Sequence, residues 1–333
     1  MANILPIASG KGGVGKSAIS ANIAISLAKK NKSVILCDFD FGGANLHTLL
    51  GLKNNQAGMG NFIYRQQESL KNLLQETNIE NLKFIAGDCL LPGTANMDFF
   101  IKKKIMKELS LLPADYIILD LGGGSSFNVL DFYLLTYNSI LVSTPEITSV
   151  LNAYSFLKAS VFRFFTHQFP NRSPERERIS QFIKSVSIGT EISFISLMET
   201  ICNEFPETGL KACEELKKFN PQVILNMGSS NQDLEMGKRL RSLASSKLKI
   251  NINFVGFIPK DNCVPIAVAR RNPAILIAPE SSFSQAINKS ADRILAYNYS
   301  INENISIDDN DLELLKNEYM NFNQKKEEKN ESR

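Results

Sequence analysis

The sequence of 333 residues lacks most of the features that mark membrane-spanning, secreted or metal-binding proteins. No uncharged apolar run approaches the roughly 18 residues that a spanning helix needs, and the N-terminus enters a predicted strand without a basic-then-apolar signal segment. The five cysteines form no C-x-x-C pair, and only His47 and His167 could join them, so a zinc or iron–sulfur site is not expected. A net charge of +3 is too small to indicate nucleic acid or lipid by itself. We therefore expect a cytoplasmic protein with reduced cysteines.

What the sequence contains instead is an alternation of apolar strands and helical segments. With 44% hydrophobic residues, the chain can form one large domain or two small ones. Apolar runs with strand character occupy residues 4–8, 33–40, 82–86, 115–124, 139–146, 222–226 and 253–259. Ile19, Ile23 and Leu27 recur at helical spacing after the first run, and Thr148 or Ser149 is expected to cap another helix. The pattern predicts an α/β fold with a mostly parallel, doubly wound sheet.

Two regions depart from this alternation. Residues 160–220 are mainly helical and longer than a crossover requires, so they predict an insertion in a single domain that covers residues 1–300. Residues 301–333 hold nine acids and five bases and predict an acidic, partly disordered tail. The tail carries a narrow apolar stripe, which is expected to form a small helix that docks on the body or frays, and which would make a poor membrane anchor: Leu312, Leu315, Tyr319 and Phe322.

Residues 8–20, with the sequence ASGKGGVGKSAIS, contain a phosphate-binding motif. Gly10 to Ser17 fit G-x-x-x-x-G-K-[ST] between a predicted strand and a predicted helix. Such glycines let backbone N–H groups converge on phosphate oxygens at a helix N-terminus. Lys16 would bridge the β- and γ-phosphates of ATP, and the Ser17 hydroxyl would hold Mg²⁺. The loop residues predicted to bind ATP are Gly10, Lys11, Gly12, Gly13, Val14, Gly15, Lys16, Ser17 and Ala18.

Lys11 is a second lysine at the mouth of this loop. From its position alone it is either a solvated surface lysine or, because Gly10 and Gly12 flank it, a lysine whose charge projects away from its own loop toward a phosphate bound by another subunit. The string KGGVGKS resembles the deviant Walker A motif of the MinD/ParA group, in which the first lysine reaches across a face-to-face, ATP-bound dimer. The resemblance implies an ATPase that depends on dimerisation, with Lys11 and Lys16 as catalytic residues.

Two further segments resemble the switch regions of that group. Residues 37–52, CDFDFGGANLHTLLGL, are similar to the first switch of MinD-like proteins, which implies that Asp40 positions the attacking water and that Asp38 assists the Mg²⁺ shell. The strand YIILD resembles a Walker B strand and implies that Asp120 reaches Mg²⁺ through water. The following LGGGSS, residues 121–126, would be the second switch and is richer in glycine than in relatives.

The adenine site is also implied by resemblance. The strand VILN ends in Asn226, which matches the asparagine that reads adenine in this group. The segment GFIPKD matches the loop that packs on the base, through Pro259 and Asp261. Similarity to the group covers residues 1–158 and 222–298, which leaves the predicted insertion and the tail without a counterpart.

The resemblance favours a MinD/FlhG-like regulator that positions cell division or flagella, with a homodimer in the ATP-bound state and a protein partner. The first switch is more similar to MinD than to ParA partition proteins. The membrane surface stays open as a peripheral location, at the inner face, although the tail is a poor anchor.

Three alternatives remain. A ParA-like DNA-partition ATPase would use a basic face: Lys238, Arg239, Arg241, Lys247, Lys249, Arg270 and Arg271. An Mrp-type iron–sulfur carrier would need paired cysteines near the end of the fold, which the sequence does not offer. A small-molecule ligase would need a pocket in the insertion, for which the aromatic run at residues 161–169 could serve, although core packing is its commoner use.

Overall fold

The strands of the protein lie where the sequence predicts apolar runs, and they form one twisted sheet. The computed structural model describes residues 2–53, 55–87, 97–185, 193–297 and 309–331. Within them the strands are β1 (Asn3–Ser9), β2 (Val34–Phe39), β3 (Gln75–Glu76), β4 (Leu82–Ile85), β5 (Tyr116–Gly123), β6 (Ile140–Ser143), β7 (Gln222–Gly228) and β8 (Asn253–Pro259). Their order is β3-β4-β2-β5-β1-β6-β7-β8, with β3 antiparallel to β4 and the other pairs parallel. The predicted fold class is confirmed.

Helices cover both faces of this sheet. They are α1 (Lys16–Lys29), α2 (Leu46–Leu49), α3 (Met59–Ile63), α4 (Phe99–Leu109), α5 (Phe127–Tyr133), α6 (Ile147–His167), α7 (Pro174–Ser185), α8 (Phe194–Glu204), α9 (Pro206–Lys217), α10 (Leu234–Leu243), α11 (Cys263–Ala269), α12 (Ala274–Ile277), α13 (Ser282–Tyr297) and α14 (Asn310–Glu331). Side chains of β2 alternate between two cores: Ile35 and Cys37 face one, Val34 and Leu36 the other. Because both faces are buried, the strand is apolar along its whole length.

Two local predictions differ from the structure. Neither Thr148 nor Ser149 caps α6, since the helix begins at Ile147 and the Ser149 hydroxyl accepts a hydrogen bond from the Thr144 N–H (3.0 Å). The strand β3 was not predicted, because its two polar residues carry no periodic pattern.

The region of residues 160–220 starts inside α6 and continues through three further helices, α7 to α9, before β7. Most of the aromatic run is buried, and it holds these helices on the body: Phe165 packs edge-on against Phe194 with ring centroids 5.5 Å apart, and Phe164 stacks on Phe219 at 5.4 Å. The aromatic side chains therefore serve mainly as core.

The tail forms helix α14, which lies along the edge strand β8. Its apolar stripe is buried, and Tyr319 packs on Phe257 with ring centroids 5.0 Å apart. Asp311 accepts a hydrogen bond from the Phe254 N–H (2.7 Å) and forms an ion pair with the buried Arg241. An acid of the tail thus occupies a backbone donor at the open edge of the sheet.

Candidate nucleotide site

The segment between β1 and α1 folds as a phosphate loop. Gly15 has a φ of +82°, and a Cβ on it would lie 2.4 Å from the Asn226 Nδ2 atom, so only glycine fits there. A Cβ on Gly10 would lie 2.3 Å from the Asn152 carbonyl oxygen of α6, which makes glycine necessary there too. The loop is therefore held between α6 on one side and the end of β7 on the other.

Lys16 opens α1 with its ammonium group turned inward. Its Nζ atom lies 2.8 Å from Asp120 Oδ1, and both side chains are buried. Ser20, one helical turn further on, donates to the same carboxylate oxygen at 2.8 Å. A buried lysine needs a compensating negative charge, and Asp120 supplies it. The sequence did not point to Ser20, although its position four residues after Lys16 could have done so.

Asp38 and Asp120 stand side by side, since β2 and β5 pair with these residues in register. Asp38 is buried and accepts hydrogen bonds from the backbone N–H groups of Asp40 and Leu46, both at 3.1 Å. Burial, and next the charge of Asp120, raise the pKa of the Asp38 carboxyl from 3.8 to about 7, against the lowering effect of these donors and of Lys16. The arrangement concentrates negative charge at the carboxyl end of the sheet.

This donor set fits a hard divalent cation. Two buried carboxylates and the Ser17 hydroxyl, which follows Lys16 at the start of α1, are the oxygen ligands that Mg²⁺ prefers. Burial, and next the charge of Asp120, raise the pKa of Asp38, so a cation bound beside the two carboxylates would stabilise their charged forms. The residues that could hold the metal are therefore Ser17, Asp38 and Asp120.

Asp40 lies half-buried just beyond the end of β2 and faces the second switch. A Cβ on Gly122 would lie 3.4 Å from Asp40 Oδ1, so the two switches meet at this carboxylate. A small cavity of about 130 Å³ opens beside it, lined by both switches and by α5. The carboxylate thus borders a space large enough for a few water molecules.

Lys11 turns away from its own phosphate loop. Its Nζ atom lies 3.3 Å from Glu146 Oε2 and 3.5 Å from Thr148 Oγ1, at the start of α6. The sequence pattern did not indicate Glu146 and Thr148 as partners of Lys11. The signal that could have found Glu146 is its place as the last residue of a predicted strand, at the edge where open α/β sheets bind ligands.

The predicted adenine residues are engaged within the protein. Asn226 is buried and donates from Nδ2 to the Val14 carbonyl (2.8 Å), which brings the end of β7 onto the phosphate loop. Pro259 ends the neighbouring strand β8. Asp261 accepts hydrogen bonds from the Cys263 N–H (2.9 Å) and the Ser282 hydroxyl (2.8 Å) and so braces the loop before α11.

The structure also locates residues on which the alternatives depend. Of the predicted basic face, Arg241 is only 8% exposed and is paired with Asp309 and Asp311, and Lys238 pairs with Glu235.

The sulfur atoms of Cys202 on α8 and Cys213 on α9 lie 3.4 Å apart, a proximity that the spacing of the cysteines did not indicate. In the part of the chain that the structure describes, no helix is long and apolar enough to cross a bilayer.

Comparison with known proteins agrees with this geometry. Residues 1–160 match the ParA family model, described as NUBPL iron-transfer P-loop NTPase. The chain is 33% identical to the flagellum site-determining protein YlxH of Helicobacter pylori over 162 residues, which cover 46% of this chain and 52% of that protein. It is also 33% identical to the septum site-determining protein MinD of the same bacterium over 153 residues, which cover 45% and 56%. This chain therefore spans about half the length of these two relatives.

Other matches extend over nearly the whole chain. An uncharacterized ATP-binding protein of Methanocaldococcus jannaschii is 24% identical over 304 residues, which cover 90% of both chains. The septum site-determining protein MinD of Pyrococcus horikoshii, solved in complex with Mg-ADP, shares the fold with a TM-score of 0.57 at 19% identity over 91% of this chain and all of that chain. The MinC:MinD complex of Aquifex aeolicus gives a TM-score of 0.58 at 22% identity, over 92% of this chain and 98% of that chain. The chain therefore has the fold of the MinD and ParA P-loop NTPases, and its residues 1–160 are similar in sequence to the ParA family.

Proposed function

We propose that this protein is a Mg-ATP-dependent ATPase that dimerises when ATP is bound and acts as a positioning regulator. The observation that carries the proposal is the direction of Lys11, which is held at the start of α6 on the outside of its own phosphate loop. A lysine in that position can leave one exposed ion pair and meet the phosphates of a second copy. Its ammonium group would then stabilise the charge that develops during phosphoryl transfer.

ATP would occupy the phosphate loop with its β- and γ-phosphates next to Lys16. The loop N–H groups and the N-terminus of α1 would bind the phosphate oxygens, and Lys16 would exchange Asp120 for them. Ser17, Asp38 and Asp120 would hold Mg²⁺, which when bound neutralises charge on the phosphates. At the other end of the nucleotide, Asn226, Pro259 and Asp261 would surround the adenine base.

Asp40 is the proposed residue that positions the attacking water. Its carboxylate borders the cavity between the two switches, close to where the second switch meets the phosphate loop: a Cβ on Gly123 would lie 3.2 Å from the Gly12 nitrogen. Hydrolysis converts ATP and water to ADP and phosphate, and it removes the γ-phosphate that would hold both switches in place. The dimer would then come apart.

Exposed apolar side chains beside Glu146, the partner of Lys11, and after the second switch support a dimer. Ile147 and Leu151 lie one turn apart on α6, next to Glu146, and Phe127 begins α5 directly after the second switch. All three are exposed in the single chain. Large apolar side chains grouped beside a site are typical of a surface that another protein covers. We infer that a second copy of this chain covers them in the ATP-bound state.

The proposed role is spatial regulation of cell division or of flagellar placement, through a protein partner that recognises the ATP-bound dimer. It is supported by the similarity of a little under half of the chain to proteins named as flagellum and septum site-determining. We further propose one domain over residues 1–300 with its helical insertion, and a cytoplasmic location. DNA partition has weaker support, since Arg241 of the basic face is buried in ion pairs with the tail.

Two substitutions test the nucleotide site and the switch. Lys16→Ala removes the charge that faces the phosphates and should abolish ATP binding, measured by titration calorimetry; retained affinity would count against the loop assignment.

Asp40→Ala should still bind ATP but hydrolyse it too slowly for the dimer to dissociate, so gel filtration with Mg-ATP should show a trapped dimer. A monomer with normal turnover would remove Asp40 from the proposed role.

A further inference from the structure

The helix α4 presents an outward face that nothing in the proposed ATPase cycle uses. Its inward face packs on the core through Lys102, Ile105 and Leu109. On the opposite side Phe99 is 61% exposed and Phe100 is 74% exposed, with their rings in contact at a centroid distance of 5.8 Å. Leu111, just beyond the other end of the helix, is 66% exposed. Large apolar side chains thus stand in water at both ends of one short helix.

The residues between these apolar ends are basic. Lys103, Lys104 and Lys107 are exposed and follow Phe100 by three, four and seven residues, which places them on the same helical face. Lys104 lies over the Phe62 ring, 4.6 Å from its centroid, and no lysine of the three forms a salt bridge within the described ranges. The acid of this helix, Glu108, is turned aside and accepts hydrogen bonds from the Ser69 hydroxyl and the Leu70 N–H.

We propose that this outward face of α4, formed by Phe99, Phe100, Lys103, Lys104, Lys107 and Leu111, is a peripheral docking surface for an anionic lipid bilayer. The phenylalanine rings would enter the boundary between headgroups and acyl chains, and the lysines would lie at the level of the anionic headgroups. Between Phe100 and Leu111 the face is about 17 Å long at the rise of an α-helix, so the helix would lie in the plane of the membrane.

The charge of this face favours lipid over a folded protein. The face carries three cations against one exposed acid at its N-terminal end, Asp98. The exposed hydroxyl within its span, that of Ser110, is already engaged with the Lys107 carbonyl (2.7 Å). Lysines beside aromatic rings match a surface that is negative, deformable and apolar below its headgroups. The apolar stripe of the tail is a poorer choice, because it is buried against β8.

The chain contains no tryptophan, so Phe100→Trp gives a unique fluorescent reporter at this surface. In vesicles of phosphatidylcholine with about 30% phosphatidylglycerol, its emission should shift to the blue and gain intensity, and it should stay unchanged with phosphatidylcholine alone. The matched control is Leu314→Trp, on the exposed side of α14, whose emission should not move. The proposal would be overturned if the emission of the Phe100→Trp variant stayed unchanged at saturating lipid. It would also be overturned if the emission of the Leu314→Trp control shifted and that of Phe100→Trp did not.

Co-sedimentation of the full chain with the same vesicles measures each contribution. Lys103→Gln with Lys107→Gln should weaken binding by about fivefold per lysine, and Phe99→Ser with Phe100→Ser by at least about tenfold. The charge control is Lys211→Gln with Lys217→Gln, on the exposed side of α9, and it should bind as wild type does. Equal binding by all variants would overturn the proposal. The proposal would also be overturned if the wild-type chain formed a dimer without lipid and the Phe99/Phe100 variant did not, because the face would then be a protein interface. ATP binding is not required for this surface, so loss of lipid binding leaves the proposed ATPase untouched.

Discussion

At the scale of single residues, the site combines groups that sequence order predicts with contacts that only the fold creates. Lys16 was predicted from the phosphate-loop pattern, and the roles of Asp38 and Asp120 were implied by resemblance to a first switch and to a Walker B strand. The strands β2 and β5 bring the two acids into register. The contacts of Lys11 with Glu146 and of Asn226 with the Val14 carbonyl join residues far apart in the chain. No spacing rule reveals such contacts, because they depend on the order of strands in the sheet.

The raised pKa of Asp38 predicts a pH-dependent stability. Its value of about 7 lies above the ordinary 3.8, so between these two values the folded chain binds more protons than the unfolded chain. The stabilising contribution is therefore complete below about pH 4 and is lost as the pH rises through 7, on the order of 2–4 kcal/mol in total. The Asp38→Asn variant has no carboxylate at this position, so it should not lose this stability as the pH rises. In calorimetry without nucleotide or Mg²⁺, the variant should exceed wild type in Tm by more at pH 7.5 than at pH 5. The same Tm difference at both pH values would contradict the assignment.

At the scale of secondary-structure elements, apolar runs predicted every described strand except β3, and helical spacing predicted α1 and the apolar stripe of α14. The strands β2, β5 and β7 could be predicted from the sequence as continuous apolar runs, because both faces of the sheet are buried. The antiparallel β3 and the start of α6 were missed, since two polar residues form the first and tertiary hydrogen bonds decide the second. The stripe of the tail was visible as a pattern, whereas its docking place on β8 was not.

The docking of α14 makes a prediction about two adjacent leucines. Leu315 is buried against the body and its neighbour Leu314 is exposed. Leu315→Ala should lower the free energy of unfolding by about 2–4 kcal/mol, while Leu314→Ala should change it by no more than about 0.5 kcal/mol. Urea denaturation of both variants measures the difference. If both substitutions cost equally little, the helix is not docked in solution.

At the scale of the whole molecule, the proposed function depends on a second copy. The single chain exposes Ile147 and Leu151 near Glu146 and Phe127 after the second switch. It holds Lys11 by an exposed ion pair of the kind that is worth only about 0–1 kcal/mol. Such a contact is easily exchanged for a nucleotide phosphate. Proteins that share one fold can perform different functions, so the fold does not by itself identify the partner that would recognise the ATP-bound dimer.

The central claim is that Lys11 of one chain completes the ATP site of another. The measurement that tests it most directly is ATP turnover per chain as a function of protein concentration, for wild type and for Lys11→Ala. Wild type should turn over faster per chain as concentration rises and dimers form, and Lys11→Ala should bind ATP yet stay slow, by at least about a hundredfold, at every concentration. Turnover that is independent of concentration in wild type, and unchanged by Lys11→Ala, would contradict the account.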